Sequence, residues 1–373
     1  MEKHLHIVCL DVPWPVDYGG VLDMFYKLKA LHEAGVKVHL HCFRCKRDES
    51  EELNNYCTEV FYYQRQEGHK GFSHKLPYIV ASRADQQLMT RLLQDDHPIL
   101  LEGIHCSYLL QNEQFANRKI ILRLHNVEHV YYRELFKSCT SWWKKMYYLH
   151  ESMLLKKYEA TVANKTLILA LSEKDANTYR QDFNADKVAY LPVFLPFSQV
   201  HSKEGIGCYC LYHGNLSIPE NEAAAIWLLE RVFNKLRVPF LIAGKNPTPR
   251  LERIMLRYPQ ACLVTNPTDQ EMQDMIAKAQ INVLPSFNNT GVKLKLLNAL
   301  FNGRHCVVNP QTIQGTGLES ACHIGTTARA FQEIIAQLYH QSFAIEEIKL
   351  RQRLLEGTFN NQQNAARLIQ WIW

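Results

Sequence analysis

The sequence has no long hydrophobic run: none of its stretches approaches the ~20 consecutive apolar residues that a membrane-spanning helix needs. Its first residues are too polar, and their apolar part too short, for a secretory signal peptide. Its formal net charge of +5 over 373 residues is small; it suits anionic small molecules and does not require nucleic acid. We therefore expect a cytoplasmic protein without a nucleic-acid partner, with at most peripheral contact at the inner face of a membrane.

The sequence also lacks a disulfide or metal framework. Its eleven cysteines are odd in number and scattered, and several, such as Cys9 and Cys306, stand in apolar runs typical of strands. Cys42 and Cys45 form a CxxC pair, but no second pair stands at the spacing of a zinc site. This pattern indicates reduced cysteines that fill a core.

The chain is long for one domain. Domains usually have roughly 100 to 200 residues, so 373 residues predict two, and a hydrophobic content of 47% is enough for two cores. Strand and helix patterns alternate in both halves, which predicts mostly parallel sheets covered on both faces. Prolines and glycines at 192–207 indicate a linker. The predicted domains are 1–195 and 208–355, followed by a C-terminal segment at 356–373.

One strand–loop–helix pattern gives the clearest local signal. Ile281–Leu284 is typical of a buried strand, a polar loop with Gly291 follows, and an apolar helix face runs to Gly303, which we expect to be a C′ glycine. Such a junction offers free backbone N–H groups and a positive dipole end to a phosphate. Lys293 and Lys295, placed by the pattern just inside the helix, add positive charge there.

A comparable junction follows the first strand. His4–Leu10 and Val21–Ala34 predict a strand and a helix, and the loop between them ends in Gly19 and Gly20. The spacing is not G-x-G-x-x-G, so a dinucleotide fingerprint is not indicated. The pair predicts a tight turn where the sheet edge meets the helix N-terminus.

Polar side chains also stand where later strands end. Glu102 ends one apolar run, Arg123 lies near the end of another, and His125 follows directly after it. The carboxyl ends of parallel strands meet at one edge of a sheet, where ligands gather. Because a charge at the end of a buried strand needs a partner, we expect Glu102 to pair with Arg123 or with an acceptor hydroxyl.

Five separated segments together carry a family resemblance. They are D-Y-G-G with Asp23, L-R-L-H-N-V-E at 122–128, Y-H-G-N-L-S-I-P-E-N-E at 212–222, A-G-K at 243–245 and the stretch 291–304. In this order they resemble the nucleotide-sugar-dependent glycosyltransferases of the GT-B fold, specifically the large retaining family 4. The resemblance covers nearly the whole chain. Asn298 stands where that family has a glutamate, and the earlier acidic residue of its glutamate pair is absent.

The resemblance implies an α/β fold of the GT-B type, with two Rossmann-like αβα domains and an interdomain cleft. The first domain would face the acceptor, the second would bind the nucleotide sugar, and the C-terminal helix would pack back on the first. The implied activity is sugar transfer from a nucleoside diphosphate sugar to a glycan or lipid-linked acceptor, with retention, in polysaccharide or glycoconjugate synthesis. The implied enzyme uses no metal ion, and no cofactor besides its nucleotide-sugar co-substrate.

The resemblance also assigns roles to single residues. His125 would hydrogen-bond the sugar or the acceptor with Glu102 beside it as the second catalytic residue, and the donor phosphate would act as the base in place of a protein nucleophile. Asn298 could bind a ribose hydroxyl, and Lys293 is either a phosphate contact or a solvated helix charge. The residues assigned to the donor and its phosphates are Gly19, Gly20, Gly214, Asn215, Lys245, Thr290, Gly291, Lys293, Lys295 and Asn298.

Two other functions stay open. Residues 125–129 read H-N-V-E-H, the H-x-x-E-H pattern of inverted zinc peptidases, which need one helix to carry both histidines. The apolar strand that runs directly into His125 argues against such a helix. The missing family glutamates leave room for a non-catalytic or epimerase-type GT-B protein that binds a nucleotide sugar without transfer.

A long helix rich in aromatic residues and lysines is predicted at 141–165. Such a helix can lie on a membrane surface and help to reach a lipid-linked acceptor. The spacing of its Trp, Met, Tyr and Leu residues favours the other interpretation, a helix packed on the core with solvated lysines.

Overall fold

The computed structural model describes residues 2–17, 19–45, 47–139, 141–288 and 290–373. The chain forms two compact units. The first unit comprises Met1–Pro196, Thr290–Val292 and Phe359–Trp373, and the second comprises Phe197–Asn289 and Lys293–Thr358. Each unit contains one parallel sheet with helices around it.

The sheet of the first unit has seven strands in the order β3-β2-β1-β4-β5-β6-β7, all parallel. The strands are β1 (His4–Cys9), β2 (Lys37–Arg44), β3 (Glu59–Gln64), β4 (Ile99–Glu102), β5 (Ile120–Leu124), β6 (Leu167–Ala170) and β7 (Val188–Tyr190). The central strands are near-continuous apolar runs, because both faces of a parallel sheet are covered. All residues of β4 and β5 are buried, including the charged Glu102 and Arg123.

Helices connect these strands and cover both faces of the sheet. They are α1 (Gly19–Glu33), α2 (Tyr78–Ala81), α3 (Gln86–Leu92), α4 (Glu128–Ser138), α5 (Trp142–Val162) and α6 (Glu173–Phe183). Two apolar clusters form the core, and Val8 and Leu101 belong to one while Ile7 and Leu100 belong to the other. Neighbouring strand residues thus alternate between the two faces.

The second unit repeats this architecture with six strands in the order β10-β9-β8-β11-β12-β13, again all parallel. They are β8 (Cys210–His213), β9 (Phe240–Gly244), β10 (Ala261–Thr265), β11 (Ile281–Val283), β12 (His305–Val308) and β13 (His323–Ile324). The prediction of two parallel-sheet α/β units is therefore confirmed.

The α-helices that the structure describes in the second unit follow in chain order, and the last helix of the chain belongs to the first unit. They are α7 (Pro219–Trp227), α8 (Pro249–Met255), α9 (Asp269–Lys278), α10 (Leu294–Asn302), α11 (Pro310–Ile313), α12 (Ala328–Leu338), α13 (Ile345–Leu355) and, in the first unit, α14 (Asn361–Ile372). Leu368 and Ile372 of α14 share a buried cluster with Val21 of α1.

Three local expectations differ from the structure. Gly19 and Gly20 form the first turn of α1 and do not precede it. Lys293 is the N-cap of α10 and lies one residue before the helix. Gly303 ends α10 with φ −102°, so it is not a left-handed C′ glycine. A side chain is excluded at Gly303 because a Cβ would lie 2.3 Å from the side-chain nitrogen Nδ2 of Asn282.

Helix α5 is only partly packed. Its C-terminal half is buried through Leu155, Tyr158 and Val162, as a core helix would be. Trp142 and Trp143 near its start are 63% and 79% exposed, which contradicts the expectation that its aromatic residues fill the core. In the described part of the chain, no helix combines the length and apolar character needed to cross a membrane.

Candidate functional site

Five buried polar side chains meet at the carboxyl edge of the first sheet, and we call them the charged cluster: Asp23, Lys27, Glu102, Arg123 and His125. Asp23 and Lys27 lie one turn apart on α1, so both side chains leave the same face of the helix. Glu102 ends β4, Arg123 is the fourth residue of β5, and His125 follows that strand directly. The fold thus brings one helix and two strand ends to a single point.

Lys27 joins the two carboxylates of the charged cluster. Its Nζ lies 3.0 Å from Oδ2 of Asp23 and 2.6 Å from Oε1 of Glu102. All three side chains are about 1% exposed. The two carboxylates neutralise the ammonium group of Lys27. Without them, a positive charge in such a dry environment would be strongly destabilising.

Arg123 completes the neutralisation of Asp23. Its Nε and Nη2 donate to the two oxygens of Asp23 at 2.9 Å each, which is the bidentate geometry of a strong charge-assisted pair. The remaining donors reach the carbonyl oxygens of Leu191 at 3.1 Å and Pro192 at 2.9 Å. Asp23 also accepts from the backbone N–H of Phe194 at 2.8 Å. The segment after β7 is therefore tied to the charged cluster.

His125 has one ring nitrogen bound within the charged cluster and one that is buried without a partner among the described residues. Its Nε2 lies 2.9 Å from Oε2 of Glu102, which can only accept when ionised, so Nε2 carries the proton. Nδ1 is then an acceptor, and it has no hydrogen-bond partner in the part of the chain that the structure describes. Glu102 thus fixes both the orientation and the tautomer of the imidazole.

Both carboxylates of the charged cluster are ionised. Burial alone would raise the pKa of Asp23, but the charges of Arg123 and Lys27 lower it below its ordinary value. Burial likewise opposes ionisation of Glu102, and its pKa is lowered by the charge of Lys27 and the hydrogen bond from His125.

The expected pairing of Glu102 with Arg123 is wrong. Their Cα atoms are register partners on neighbouring strands, yet Glu102 pairs with Lys27 and His125 while Arg123 pairs with Asp23. Sequence reasoning missed Lys27 altogether and used Asp23 only as part of a motif. The signal was present, because an Asp and a Lys four residues apart interrupt an otherwise apolar helix face.

The zinc-peptidase interpretation is also wrong. Helix α4 begins at Glu128, so His125 is not on it. His129 turns to a different partner, with Nδ1 2.6 Å from Oε2 of Glu159. Burial, and then the charge of Glu159, raises the pKa of Glu128 to about 8. The two histidines therefore do not share the helical face that a zinc peptidase needs.

In the second unit, Lys295 has surroundings that suit a phosphate-binding cation. It lies in the first turn of α10, and its Nζ is 3.4 Å from the hydroxyl of Tyr212 and 3.3 Å from Oδ1 of Asn221. It also stands 4.8 Å from the centroid of the Tyr212 ring. No carboxylate in the described residues forms an ion pair with it. Burial, and then the charge of Lys293, lowers the pKa of Lys295 to about 8, although Glu220 acts in the opposite direction.

His213 lies beside this lysine at the end of β8 and was not among the expected site residues. It is 5% exposed, and its Nε2 has no hydrogen-bond partner among the described residues. Burial, and then the charge of Lys295, lowers its pKa to about 3, so the imidazole is neutral at physiological pH. Its signal in the sequence was a polar residue directly after a buried strand.

The loop after β8 is closely packed. A Cβ on Gly214 would lie 3.3 Å from the side chain of Asn221, and a Cβ on Gly244 would lie 1.9 Å from the carbonyl oxygen of Gly214. Asn215 accepts from both the backbone N–H and the hydroxyl of Ser217 through Oδ1. Its own carbonyl oxygen accepts from Asn221 at 3.0 Å, so this loop has a fixed shape beside Lys295.

The other expected donor-site residues are placed less closely together. Lys245 is exposed and lies 3.8 Å from an exposed Asp269. Asn298 accepts from Asn302 at 2.9 Å on the surface of α10. Thr290 and Gly291 belong to the segment that is grouped with the first unit, and Gly291 has a φ of +66°, which favours glycine.

Comparison with known proteins identifies a family to which part of this sequence is similar. The family described as Glycosyl transferases group 1 matches residues 207–341. A protein of Klebsiella pneumoniae, described as an uncharacterized 44.6 kDa protein in cps region, is 30% identical over 331 residues, which cover 83% of this chain and 84% of that protein.

Solved structures show the same fold at low sequence identity. A variant of S. aureus TarM in complex with Fondaparinux, alpha-GlcNAc-glycerol and UDP has a TM-score of 0.70 at 11% identity and covers 100% of both chains. Anabaena Alr3699/HepE in complex with UDP and glucose has a TM-score of 0.66 at 11% identity, with 98% of each chain covered. The expected resemblance and fold are thereby confirmed. This chain is a GT-B glycosyltransferase and belongs to the glycosyl transferases group 1 family.

Proposed function

We propose that this glycosyltransferase transfers a sugar from a nucleoside diphosphate sugar to a glycan or lipid-linked acceptor, with retention of the anomeric configuration. The observation that carries the donor class is Lys295: a largely buried cation at a helix N-terminus, without a carboxylate partner among the described residues. A diphosphate supplies the negative charge that this environment lacks.

In this proposal the second unit stabilises the leaving group. Departure of the sugar builds negative charge on the β-phosphate, and Lys295 together with the N-terminus of α10 would stabilise that charge. Lys293, at the N-cap, and Lys245, more exposed, would contribute at longer range. Neutral His213 could donate or accept a hydrogen bond without adding charge. The fixed loop at Gly214 and Asn215 would let the backbone approach the donor.

The first unit would orient the reacting groups. Nδ1 of His125 is buried and has no partner among the described residues, and in this proposal it would accept a hydrogen bond from a sugar or acceptor hydroxyl, because Glu102 holds the proton on Nε2. Gly19 and Gly20 open α1, whose N–H groups could approach a phosphate without a side chain in the way. The donor phosphate would act as the base, so the chain needs no nucleophile of its own.

We further propose that the transfer step uses no metal ion and no additional cofactor. Asp23, Glu102 and His125 lie close enough together to suggest a cation site. Their two carboxylates are already neutralised by Lys27 and Arg123, so a divalent ion would have to displace a buried cation. Transfer should therefore continue when Mg²⁺ and Mn²⁺ are omitted.

The test compares nucleoside diphosphates with the matching nucleosides by calorimetry. Lys295→Ala should weaken diphosphate binding about 10-fold or more and leave nucleoside binding nearly unchanged, because a charge-assisted phosphate contact is worth roughly 1.5–3 kcal/mol. Lys278→Ala, which removes an exposed lysine at the end of α9, is the matched control. Equal losses for diphosphate and nucleoside would remove Lys295 from the phosphate site.

Two further measurements separate this enzyme from a non-catalytic binder. Screening UDP, GDP, ADP and CMP sugars by thermal shift identifies the donor, since a ligand of the native state raises the melting temperature. Slow hydrolysis of that donor without acceptor would indicate a catalytic site, whereas tight binding without turnover would contradict transfer. The anomeric configuration of the product, read by NMR, decides between retention and inversion.

We also propose peripheral membrane contact through the start of α5. Trp142 and Trp143 are exposed, and Lys144 and Lys145 follow them, which combines aromatic anchors with positive charge. Cosedimentation with vesicles that contain anionic lipid should fall when both tryptophans are replaced by alanine. Equal binding to purely zwitterionic vesicles, or no loss in the double variant, would contradict this contact.

A further inference from the structure

We propose that the second unit contains a binding site for a divalent transition metal of the zinc class, formed by His305, His323 and Glu347. These residues lie at the amino ends of β12 and β13 and in the first turn of α13. Their ligand atoms all lie within 4.8 Å of one another. The proposed site stands at the opposite edge of the sheet from Lys295, so it does not depend on the function proposed above.

The tautomer of His305 is fixed by the backbone. Its Nε2 lies 3.2 Å from the carbonyl oxygen of Gln341, and a carbonyl can only accept, so Nε2 carries the proton. Nδ1 of the neutral ring is then a lone-pair acceptor. His305 is 1% exposed, and this nitrogen has no hydrogen-bond partner among the described residues. A histidine that donates one N–H to a backbone carbonyl and presents its other nitrogen is the usual arrangement of a metal ligand.

The group that faces this nitrogen is a second acceptor. Oε1 of Glu347 lies 3.6 Å from Nδ1 of His305. The other oxygen of Glu347, Oε2, accepts from the backbone N–H of Ala344 at 3.3 Å, so the N-cap of α13 orients the carboxylate. Two acceptors that face each other in a mostly buried place are stabilised by a cation between them.

His323 supplies the third ligand from the neighbouring strand. Its ring centroid is 5.6 Å from that of His305, and the two planes are inclined by 64°, which lets the nitrogens converge from different directions. Two imidazoles and one carboxylate are the donor set that zinc accepts in three-ligand sites, with water in the fourth position.

The nearby positive charges are directed elsewhere. Arg351 donates to the carbonyl oxygens of Gly303 at 2.7 Å and of Leu300 at 3.2 Å. Arg304 donates to the carbonyl oxygen of Ala277. These guanidinium groups are neutralised by no carboxylate in the described residues, so they reduce the affinity for a cation, and Glu347 supplies the compensating charge.

The position of this site would let a bound ion fasten a short edge strand to its neighbours. Strand β13 has only two residues and pairs with β12 through Val307 and Val308. A metal ion bound by His305, His323 and Glu347 would link β12, β13 and α13 at one point. The ion would therefore stabilise the edge of the second sheet and take no part in sugar transfer.

A second histidine group in the first unit provides an internal comparison. His4, His39 and His97 also have ligand atoms within 4.8 Å of one another. Their rings are nearly parallel, with 16° between His4 and His97 and 12° between His39 and His97. A metal ion lies in the plane of each imidazole that binds it, so stacked rings cannot share one ion in these orientations. Nδ1 of His4 and Nε2 of His39 lie 3.0 Å apart and already share a hydrogen bond.

The experiment uses the full chain, stripped of metal by a chelator and then titrated with Zn²⁺ alone. One equivalent should bind and raise the melting temperature. His323→Asn and Glu347→Gln should each lower the zinc affinity more than about 10-fold, the size of effect that is known even for residues behind the ligands. Both changed side chains are partly exposed, and the side-chain oxygen of glutamine can still accept from the backbone N–H of Ala344 at the start of α13.

His201→Asn removes an exposed histidine of the same unit and is the control for surface binding, while His39→Asn tests the first-unit histidines. Neither change should alter the zinc affinity or the zinc-induced rise in melting temperature. The site would be disproved by unchanged zinc affinity in both ligand variants. Loss of binding in His39→Asn, or wild-type protein whose melting temperature does not respond to zinc, would disprove it equally.

Discussion

The two units treat buried charge in opposite ways. In the first unit the charged cluster contains two cations and two carboxylates, and each cation contacts a carboxylate at 3.0 Å or less. In the second unit, the polar contacts that Lys295 makes with described residues are to the neutral Tyr212 and Asn221. The carboxylates of the charged cluster balance its cations, whereas no carboxylate in the described residues pairs with Lys295.

This difference suggests different tasks. A balanced, fully bonded network holds side chains in place, and here it fixes the position and tautomer of His125. A cation without a carboxylate partner favours the binding of a ligand that brings negative charge. We therefore regard the first unit as the one that orients the reaction and the second as the one that binds the diphosphate.

The largest expected effect comes from unbalancing the charged cluster. Arg123→Met leaves Asp23 with Lys27 as its remaining cation and removes two hydrogen bonds to backbone carbonyls. Breaking a buried ion pair from one side usually costs about 3–5 kcal/mol. The free energy of unfolding in urea should fall by that amount.

The matched control removes both charges. Asp23→Leu combined with Arg123→Met keeps the pair of Lys27 and Glu102 and restores the balance. We expect it to recover a large part of the lost stability, because no uncompensated charge is left. A double variant that loses at least as much stability as Asp23→Leu and Arg123→Met added together would show that the two residues do not act as a pair.

The second prediction concerns pH and Lys295. With a pKa of about 8, the lysine is mostly charged at pH 7 and mostly neutral at pH 9, so diphosphate affinity should fall about 10-fold between them. Calorimetry at both pH values measures this directly. Lys295→Arg keeps its charge throughout and should flatten the profile, and an equally steep fall in that variant would contradict the assignment.

The effect on stability has the opposite sign. The folded-state pKa of Lys295 is lowered below its unfolded value of about 10.5, so burying the charged form is unfavourable below pH ~8. This penalty disappears as the pH rises from about 8 to about 10.5, and the contribution of this group to stability rises over that window. In Lys295→Met this part of the pH dependence should be absent.

The order of elements could be predicted because it depends on local pattern. The apolar run His4–Leu10 and the helix pattern Val21–Ala34 are visible in the sequence, and the bounds of β1 and α1 differ from them by at most two residues. Gly303 was understood only in part. Its place at the end of α10 was visible, but the reason for glycine is the close approach of Asn282 from another element.

The partners within the site could not be predicted in the same way. Strand ends located Glu102 and His125, because parallel strands bring their ends to one edge. The partner of Glu102 depends on how α1 is rotated over the sheet, and that rotation brings Lys27 to it instead of Arg123. Likewise, the lowered pKa of Lys295 depends on desolvation by residues that are distant in sequence.

The smallest expected effect separates two of the three lysines of the second unit that were assigned to the donor and its phosphates, Lys245 and Lys295. Lys245 is 47% exposed and pairs at 3.8 Å with an Asp269 that is 89% exposed. Solvent screens such a charge, and exposed pairs contribute roughly 0–1 kcal/mol. Lys245→Ala should therefore weaken diphosphate binding less than about 5-fold at physiological salt, and a loss that matches Lys295→Ala would mean that donor binding desolvates Lys245 as well.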